Sequence, residues 1–336
     1  MKGRAATIAV VVVAIAFLLG SLVIGPGDVS LFDALGVIAA RIGGATPDEP
    51  PVVVALVWDL RLPRALLAAV VGAALGAAGV VTQGLFRNPL AEPGVLGVST
   101  GAATAAVVGF ALGLDRLGLW VTPTLAAAGA LGVLAILLAL TRPVGSFATL
   151  LLSGIAIGAL GSAAITLVLS LGTERWDLGL KVVRWLMGSF EGRSWDHLAA
   201  ALPALGVGLL LATWLRLDLD ALQLGSDTAA SLGVDLRRTT ILGMLTVGAL
   251  VGMATALTGV IGFLGLVVPH VARMWVGAGH RALLPTAACL GAAVMLAVDA
   301  GGRSVSALAL PPGAITSLLG APFFLWLLRR TRPEVM

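Results

Sequence analysis

The sequence has no tyrosine, one cysteine and three histidines, and only 11% of its 336 residues are charged. Cys289 sits inside an apolar run, so neither a disulfide framework nor a thiolate cluster can be assembled, and the residue reads as apolar filler. His197, His270 and His280 are far apart, with no pattern of Cys, Asp or Glu at metal-ligand spacing, which leaves no metal site and no enzymatic centre to build. The two lysines, Lys2 and Lys181, do not follow a glycine, so the Gly-Lys-Ser/Thr end of a phosphate-binding loop is missing. ATP hydrolysis within this chain is excluded on that ground.

What is present is apolar. Hydrophobic residues make up 59% of the chain, against roughly 45 to 50% in a soluble domain. Runs long enough to cross a bilayer recur from end to end: 5–24, 63–83, 94–113, 120–140, 147–171, 197–215, 238–258, 261–276, 282–300 and 313–331. The expected fold is an all-α membrane protein of about ten transmembrane helices forming one polytopic domain over 1–336. Lys2, Arg4 and the run behind them resemble a secretory signal, but the run is too long for a usual signal core and many spans follow, so it reads as a retained first helix. The segment 261–276 is short and contains Pro269, which suggests a broken or re-entrant element. Gly72/Gly76, Gly154/Gly158 and Gly248/Gly252 carry the small-xxx-small spacing of helices packed closely in lipid.

An even number of spans returns both termini to one side. The Lys and Arg distribution places that side in the cytoplasm with a modest bias, and the basic pI then reflects orientation in lipid, with no nucleic acid partner implied. The eight tryptophans mostly fall near predicted span ends, as interfacial anchors should. The longest external stretches are about 25–62 and 172–196, and the main internal one is 216–237. Ion-coupled carriers keep an ionisable residue within their spans. The main such residue here is Asp299, at the end of its run beside Gly301, Gly302 and Arg303, and it reads as an interfacial carboxylate paired with a nearby base.

Three blocks rise above this background. Arg61-Leu-Pro-Arg64 precedes a small-residue helix, then Gln83, Asn88, Pro89, Pro93 and Gly94 follow between two spans, with Pro63 suited to the first turn of a helix. On these residues alone the block is also compatible with a simple helical hairpin. The second block, from Leu222 through Asp227 to Arg238, is the most polar internal stretch. Asp227 is placed to cap a short helix that either docks a partner on the cytoplasmic face or merely connects two spans. The third runs from Gly259 through Pro269, His270 and Arg273 to Gly279-His-Arg281, and is followed by Asp299 to Arg303 and by Leu310-Pro-Pro-Gly. After proline, His270 reads first as a helix-end residue.

Together the blocks, in this order from about Arg61 to Leu328, resemble the FecCD-type permeases of type II ABC importers for iron-siderophores, haem and vitamin B12. The resemblance implies a ten-helix subunit that pairs with a second permease subunit, as a homodimer or with a sibling, around a central pathway. Two cytoplasmic ATP-binding subunits and an extracytoplasmic substrate-binding protein would complete the assembly in the bacterial inner membrane. No cofactor is expected on this chain, with ATP and Mg held by the partner ATPase.

Arg61, Arg64 and Arg303 match positions that face acidic residues of the binding protein, and reversing Arg61 and Arg64 to Glu is expected to abolish transport while sparing membrane insertion. Leu222, Gly225, Asp227, Thr228, Ala229, Ser231, Leu232 and Gly233 match the segment that couples to the ATPase. Gln83, Asn88, Pro89, Gly154, Gly158, Pro269 and His270 are the pathway or gating candidates, with 147–171 expected to line much of the pathway. Two departures stand out: Ala309 replaces a glutamate common before the last helix, and Gly279 replaces an aspartate common before His-Arg. An ion-coupled secondary transporter or channel, and a permease of another ABC importer type, remain the alternative readings.

Overall fold

The computed structural model describes residues 2–140, 147–172, 176–305 and 310–330. Ala309 lies outside the described residues. Among those described the chain is all helical. Seven helices are long and apolar enough to cross a membrane, and three shorter apolar helices bring the total to the ten positions read from the sequence.

Helix α1 (Lys2–Val23) is a continuous apolar rod that ends at Gly25 and Gly27, both at positive φ. A short helix α2 (Leu31–Gly43) follows, started by a reciprocal capping box. The Ser30 hydroxyl accepts from the Asp33 N–H, and the Asp33 carboxylate accepts from the Ser30 N–H. Those bonds hold the Asp33 carboxyl below its ordinary value.

The third helix, α3 (Pro51–Leu85), runs 35 residues and overshoots the 63–83 expectation on its outer side. Pro63 lacks an N–H for the carbonyl four residues earlier. The backbone absorbs the loss by widening to a π-helix over Ala55–Arg61 and then continues without a break. Pro63 is thus an internal residue of a long rod, not the start of a helix.

The remaining elements are α4 (Val98–Ala111), α5 (Val121–Leu140), α6 (Phe147–Leu171), α7 (Trp176–Leu186), α8 (Trp195–Trp214), α9 (Arg216–Leu222), α10 (Ser226–Ser231), α11 (Leu236–Thr258), α12 (Leu264–Val276), α13 (His280–Val305) and α14 (Pro312–Arg330). α7 is strongly amphipathic: Leu178 and Val182 are buried, whereas Trp176 is 80% exposed. α2 and α7 lie at one end of the bundle, named the outer end after the orientation expected from the sequence, and α9 and α10 at the other.

Burial separates hub from rim. In α3, α11 and α13 the most apolar window is 78%, 72% and 61% buried, against 17% in α1 and 6% in α6. The hub packs backbone to backbone. A Cβ on Gly72 would strike the Gly291 carbonyl, one on Gly76 the Ala287 carbonyl, and one on Gly79 the Gly265 carbonyl. Gly248 and Gly252 similarly receive Leu134 and Ala130 of α5. Small residues permit this approach, and close dispersion contact replaces the hydrophobic drive that lipid does not supply.

Two breaks interrupt the spans. After α3 the chain turns at Arg87 (φ 49°), forms a 3-10 turn over Pro93–Leu96, and reaches Gly97 in the left-handed region before α4 begins. The 94–113 span is therefore a turn followed by a helix of only 14 residues. The turn is re-entrant: its Leu96 backbone seats against Gly154, seven residues into α6 and about 10 Å from that helix's end. The second break precedes α12, whose 13 residues rise about 20 Å, short of a roughly 30 Å hydrocarbon core. α12 starts inside the bundle beside Gly79, as the short length of 261–276 suggested.

Candidate functional site

At the outer end the three arginines turn inward. Arg61 is 5% exposed, and its two terminal nitrogens donate to the carbonyls of Leu22, Val23, Gly25, Pro26 and Gly27 at 2.7 to 3.3 Å. These are the orphan carbonyls at the end of α1 and in the turn behind it, so Arg61 serves as a C-terminal cap delivered from α3. Arg303 donates from Nη1 to the Ile24 carbonyl and from Nη2 to that of Ser21 at 3.1 Å.

Asp299 is paired, as its place in the sequence suggested. Arg64 Nη2 donates to Asp299 Oδ1 at 2.7 Å and Nε reaches both carboxylate oxygens at 3.1 Å. Arg303 Nε lies 3.2 Å from Oδ2, within ion-pair distance but not aligned as a hydrogen bond. All three residues expected to dock the binding protein are thus engaged by groups of their own chain. Arg61 in particular has no terminal donor left for an incoming acid. Asp299 answers one of these three arginine charges, and Asp28, Asp33, Asp48, Glu49 and Asp59 stand in the segment before them, so this end carries no excess of positive charge.

Of the pathway candidates, most are packing residues of the two breaks. Gln83 is 3% exposed; its Nε2 donates to the Leu266 carbonyl at 3.3 Å and its Oε1 accepts from Arg273 Nη2 at 2.8 Å. Pro269 fills the space over Gly79, and Gly154 admits the re-entrant turn. Gly158 meets Thr100 Oγ1 at ordinary van der Waals range. His270 lies in the middle of α12 and not at a helix end, as its place after a proline had suggested, and it packs edge-on against Phe323 of α14 with ring centroids 6.0 Å apart. Asn88 and Pro89 are exposed, and Asn88 Oδ1 accepts from the Leu90 N–H to close a side-chain turn.

Sequence reasoning missed Glu92, whose Oε1 accepts from the Phe263 N–H at 2.6 Å and so joins the two breaks. The carboxylate between Ala91 and Pro93 was visible in the first block, but nothing local identifies a partner 171 residues away.

α6 is the least buried of the long helices. Its exposed residues form a face of Ala156, Ala159, Ala163, Thr166 and Ser170, headed by Leu152 and Ile155 one turn earlier, beside a ridge of Leu160, Leu167 and Leu171. No charged side chain occurs on this helix.

At the inner end, α9 is clamped to the bundle. Leu219 and Leu222 are buried, Asp218 Oδ2 accepts from Thr239 Oγ1 at 2.9 Å, and Asp220 Oδ1 accepts from the His280 N–H at 2.9 Å while meeting His280 Nδ1 at 2.6 Å. Gly225 (φ 109°) and Gly233 (φ 89°) turn the chain into and out of α10. Gly225, not Asp227, is the N-cap of α10, and Asp227 stands in its first turn. Ala229 is buried beneath α10, whereas Asp227, Thr228, Ser231, Leu232 and Gly233 are exposed. Leu224, absent from the expected set, is 66% exposed beside them.

The sequence that builds this bundle matches the FecCD transport family over residues 11–330. The chain belongs to that family. It is 44% identical over 289 residues to the hemin transport system permease protein HmuU of Yersinia pestis, spanning 83% of this chain and 84% of that one. It is 42% identical over 278 residues to the vitamin B12 import system permease protein BtuC of Yersinia pseudotuberculosis, spanning 82% of each. Its fold superposes, with a TM-score of 0.85 and 32% identity, on an inward-facing structure described as a metal-chelate type ABC transporter, covering 96% of this chain and 98% of that one. Like other FecCD members, this chain is a multi-pass membrane permease of an ABC importer and not an enzyme; ATP hydrolysis belongs to a separate subunit.

Proposed function

We propose that two copies of this chain pair across their α6 helices and import a metal chelate, a ferric siderophore first and haem or cobalamin as the alternatives. The observation that carries this reading is α6: a 25-residue apolar helix that the fold leaves only 6% buried over its window. A second copy would cover the leucine ridge and leave the alanine and hydroxyl stripe to line a path. Small, uncharged walls bind a bulky chelate weakly, which suits release and leaves selectivity to an extracytoplasmic binding protein. The relatives transporting hemin and vitamin B12 support the substrate class.

The exposed α10 loop is the face for two cytoplasmic ATP-binding subunits, which hold ATP and Mg, with both termini of this chain on the same side of the bacterial inner membrane. Arg64 and Arg303 face acidic residues of the binding protein, in charge pairs that set encounter and register more than affinity. No cofactor is assigned to this chain.

Proteoliposomes containing this chain, its ATPase and its binding protein test the reading. Uptake of one chelate that needs ATP and persists with uncouplers is expected. Uptake that collapses with uncouplers and ignores ATP overturns it in favour of ion coupling.

A further inference from the structure

The two breaks meet deep in the bundle, and one side chain connects them. α12 opens at Phe263, a non-glycine residue at φ 63°, and no side chain near it in sequence caps its first turn. The Phe263 N–H has no backbone partner among the bonds that start the helix, and an N–H left unmet at a half-buried helix start is costly. Glu92 meets it from the other break, through a 2.6 Å bond from the Phe263 N–H to Oε1. A carboxylate at the positive end of a helix is favoured, and more so away from bulk solvent.

Shape reinforces the bond on both sides. Pro93 sits on Gly265 in the first turn of α12, where a Cβ would lie 2.7 Å from its ring. The next residues of the turn, Val95 and Leu96, sit on Gly154 of α6. The Phe263 ring in turn covers Gly320 of α14. A contiguous set of contacts thus runs from α6 through the re-entrant turn to α12 and on to α14.

The far end of α12 is held to α3, where Arg273 donates to Gln83. Just beyond it, the short linker to α13 is held by α9 and the residue after it: Gln223 Nε2 approaches the Ala278 carbonyl at 3.5 Å, and Asp220 accepts from the His280 N–H. α12 is therefore joined to the α9 region through the linker that follows it and, through Glu92, to the helix proposed to line the path at its other end.

We propose that Glu92 is a positioning residue of the transport cycle, whose carboxylate latches the re-entrant turn to α12 so that movement of the inner loop reaches α6. This rests on the coupling role given above to α10. The latch needs an acceptor oxygen at the right reach. Glu92→Gln keeps one, Glu92→Leu removes it, and Glu92→Asp draws it back by a methylene.

The test measures ATP hydrolysed per chelate imported in the full reconstituted complex. With Glu92→Leu and Glu92→Asp, ATPase activity is expected to persist while uptake falls about tenfold, within the range of single residues along a coupling route, and Glu92→Gln is expected to restore the parent ratio. Combining Glu92→Leu with Asp220→Ala should add little further loss, because both act on one lever. A parent ratio in the Leu and Asp variants, a Gln variant that behaves like Leu, or failure of all three to assemble each overturns the proposal. If the parent complex itself imports no chelate with ATP, the functional reading fails and not the latch.

Discussion

Asp299 shows how one buried carboxylate organises an end of the molecule. Its side chain is 2% exposed and lies between Arg64 and Arg303, while Arg61 spends its terminal donors on the carbonyls closing α1. Removing one member of such a set leaves a buried charge without compensation, typically at about 3–5 kcal/mol. Asp299→Ala is accordingly expected to lower the thermal midpoint of the purified protein sharply, and an unchanged midpoint in a detergent melting assay would show the pair to be dispensable. Arg61→Glu should fare no better, since a carboxylate would replace a donor facing five carbonyl oxygens. Reversal of Arg61 is on this ground expected to disturb the end of α1 as well as docking. The pairing of Asp299 was legible because Arg303 stands four residues on along one helix. The direction of Arg61 was not, because a long flexible side chain can reach either solvent or a neighbouring backbone and its own sequence does not choose.

At the scale of elements, helix contacts depend on where side chains are missing. Gly72 and Gly291 face each other across α3 and α13, and a Cβ on either meets the other's carbonyl. Gly206 of α8, by contrast, has nothing within 4 Å of a built Cβ. Gly72→Val should cost about 1–3 kcal/mol or more through overpacking, whereas Gly206→Ala should be neutral or slightly stabilising. Equal yields and melting midpoints for the two would refute that contrast. The spacing of Gly72 and Gly76 announced a close partner but not which helix, whereas Gly154, with the same spacing, receives a turn and not a helix. Apolar length found the right ten places but misread one of them as an unbroken span. The 94–113 run contains a turn and a short helix, because hydropathy records how apolar a stretch is and not whether its backbone stays helical.

Across the whole molecule, the surfaces left uncovered are those that assembly must cover. Leu224 and Leu232 are about two-thirds exposed on the glycine-hinged inner loop, with Asp227 and Thr228 between them. Leu232→Asp should leave the fold intact, because the side chain touches little of its own chain. Recovery of the ATPase subunit in co-purification should fall about tenfold or more if Leu232 is an anchor of that interface. Undiminished recovery would move the docking face elsewhere. Bulky replacements at Gly225 or Gly233 are a poorer probe, since their positive φ strains any side chain whether or not a partner is present.

The class of molecule was set by the sequence alone. Composition demands lipid, ten apolar runs demand a helical bundle, and the missing phosphate loop places ATP hydrolysis elsewhere, all properties that survive any arrangement of the helices. Which residues meet was decided only by the tertiary structure. Glu92 finds Phe263, Asp220 finds His280 and Arg61 finds the end of α1 through contacts spanning 34 to 171 residues. Local pattern carries no record of such pairs, because they exist only once close packing has brought buried donors and acceptors within reach and left them no water as an alternative partner.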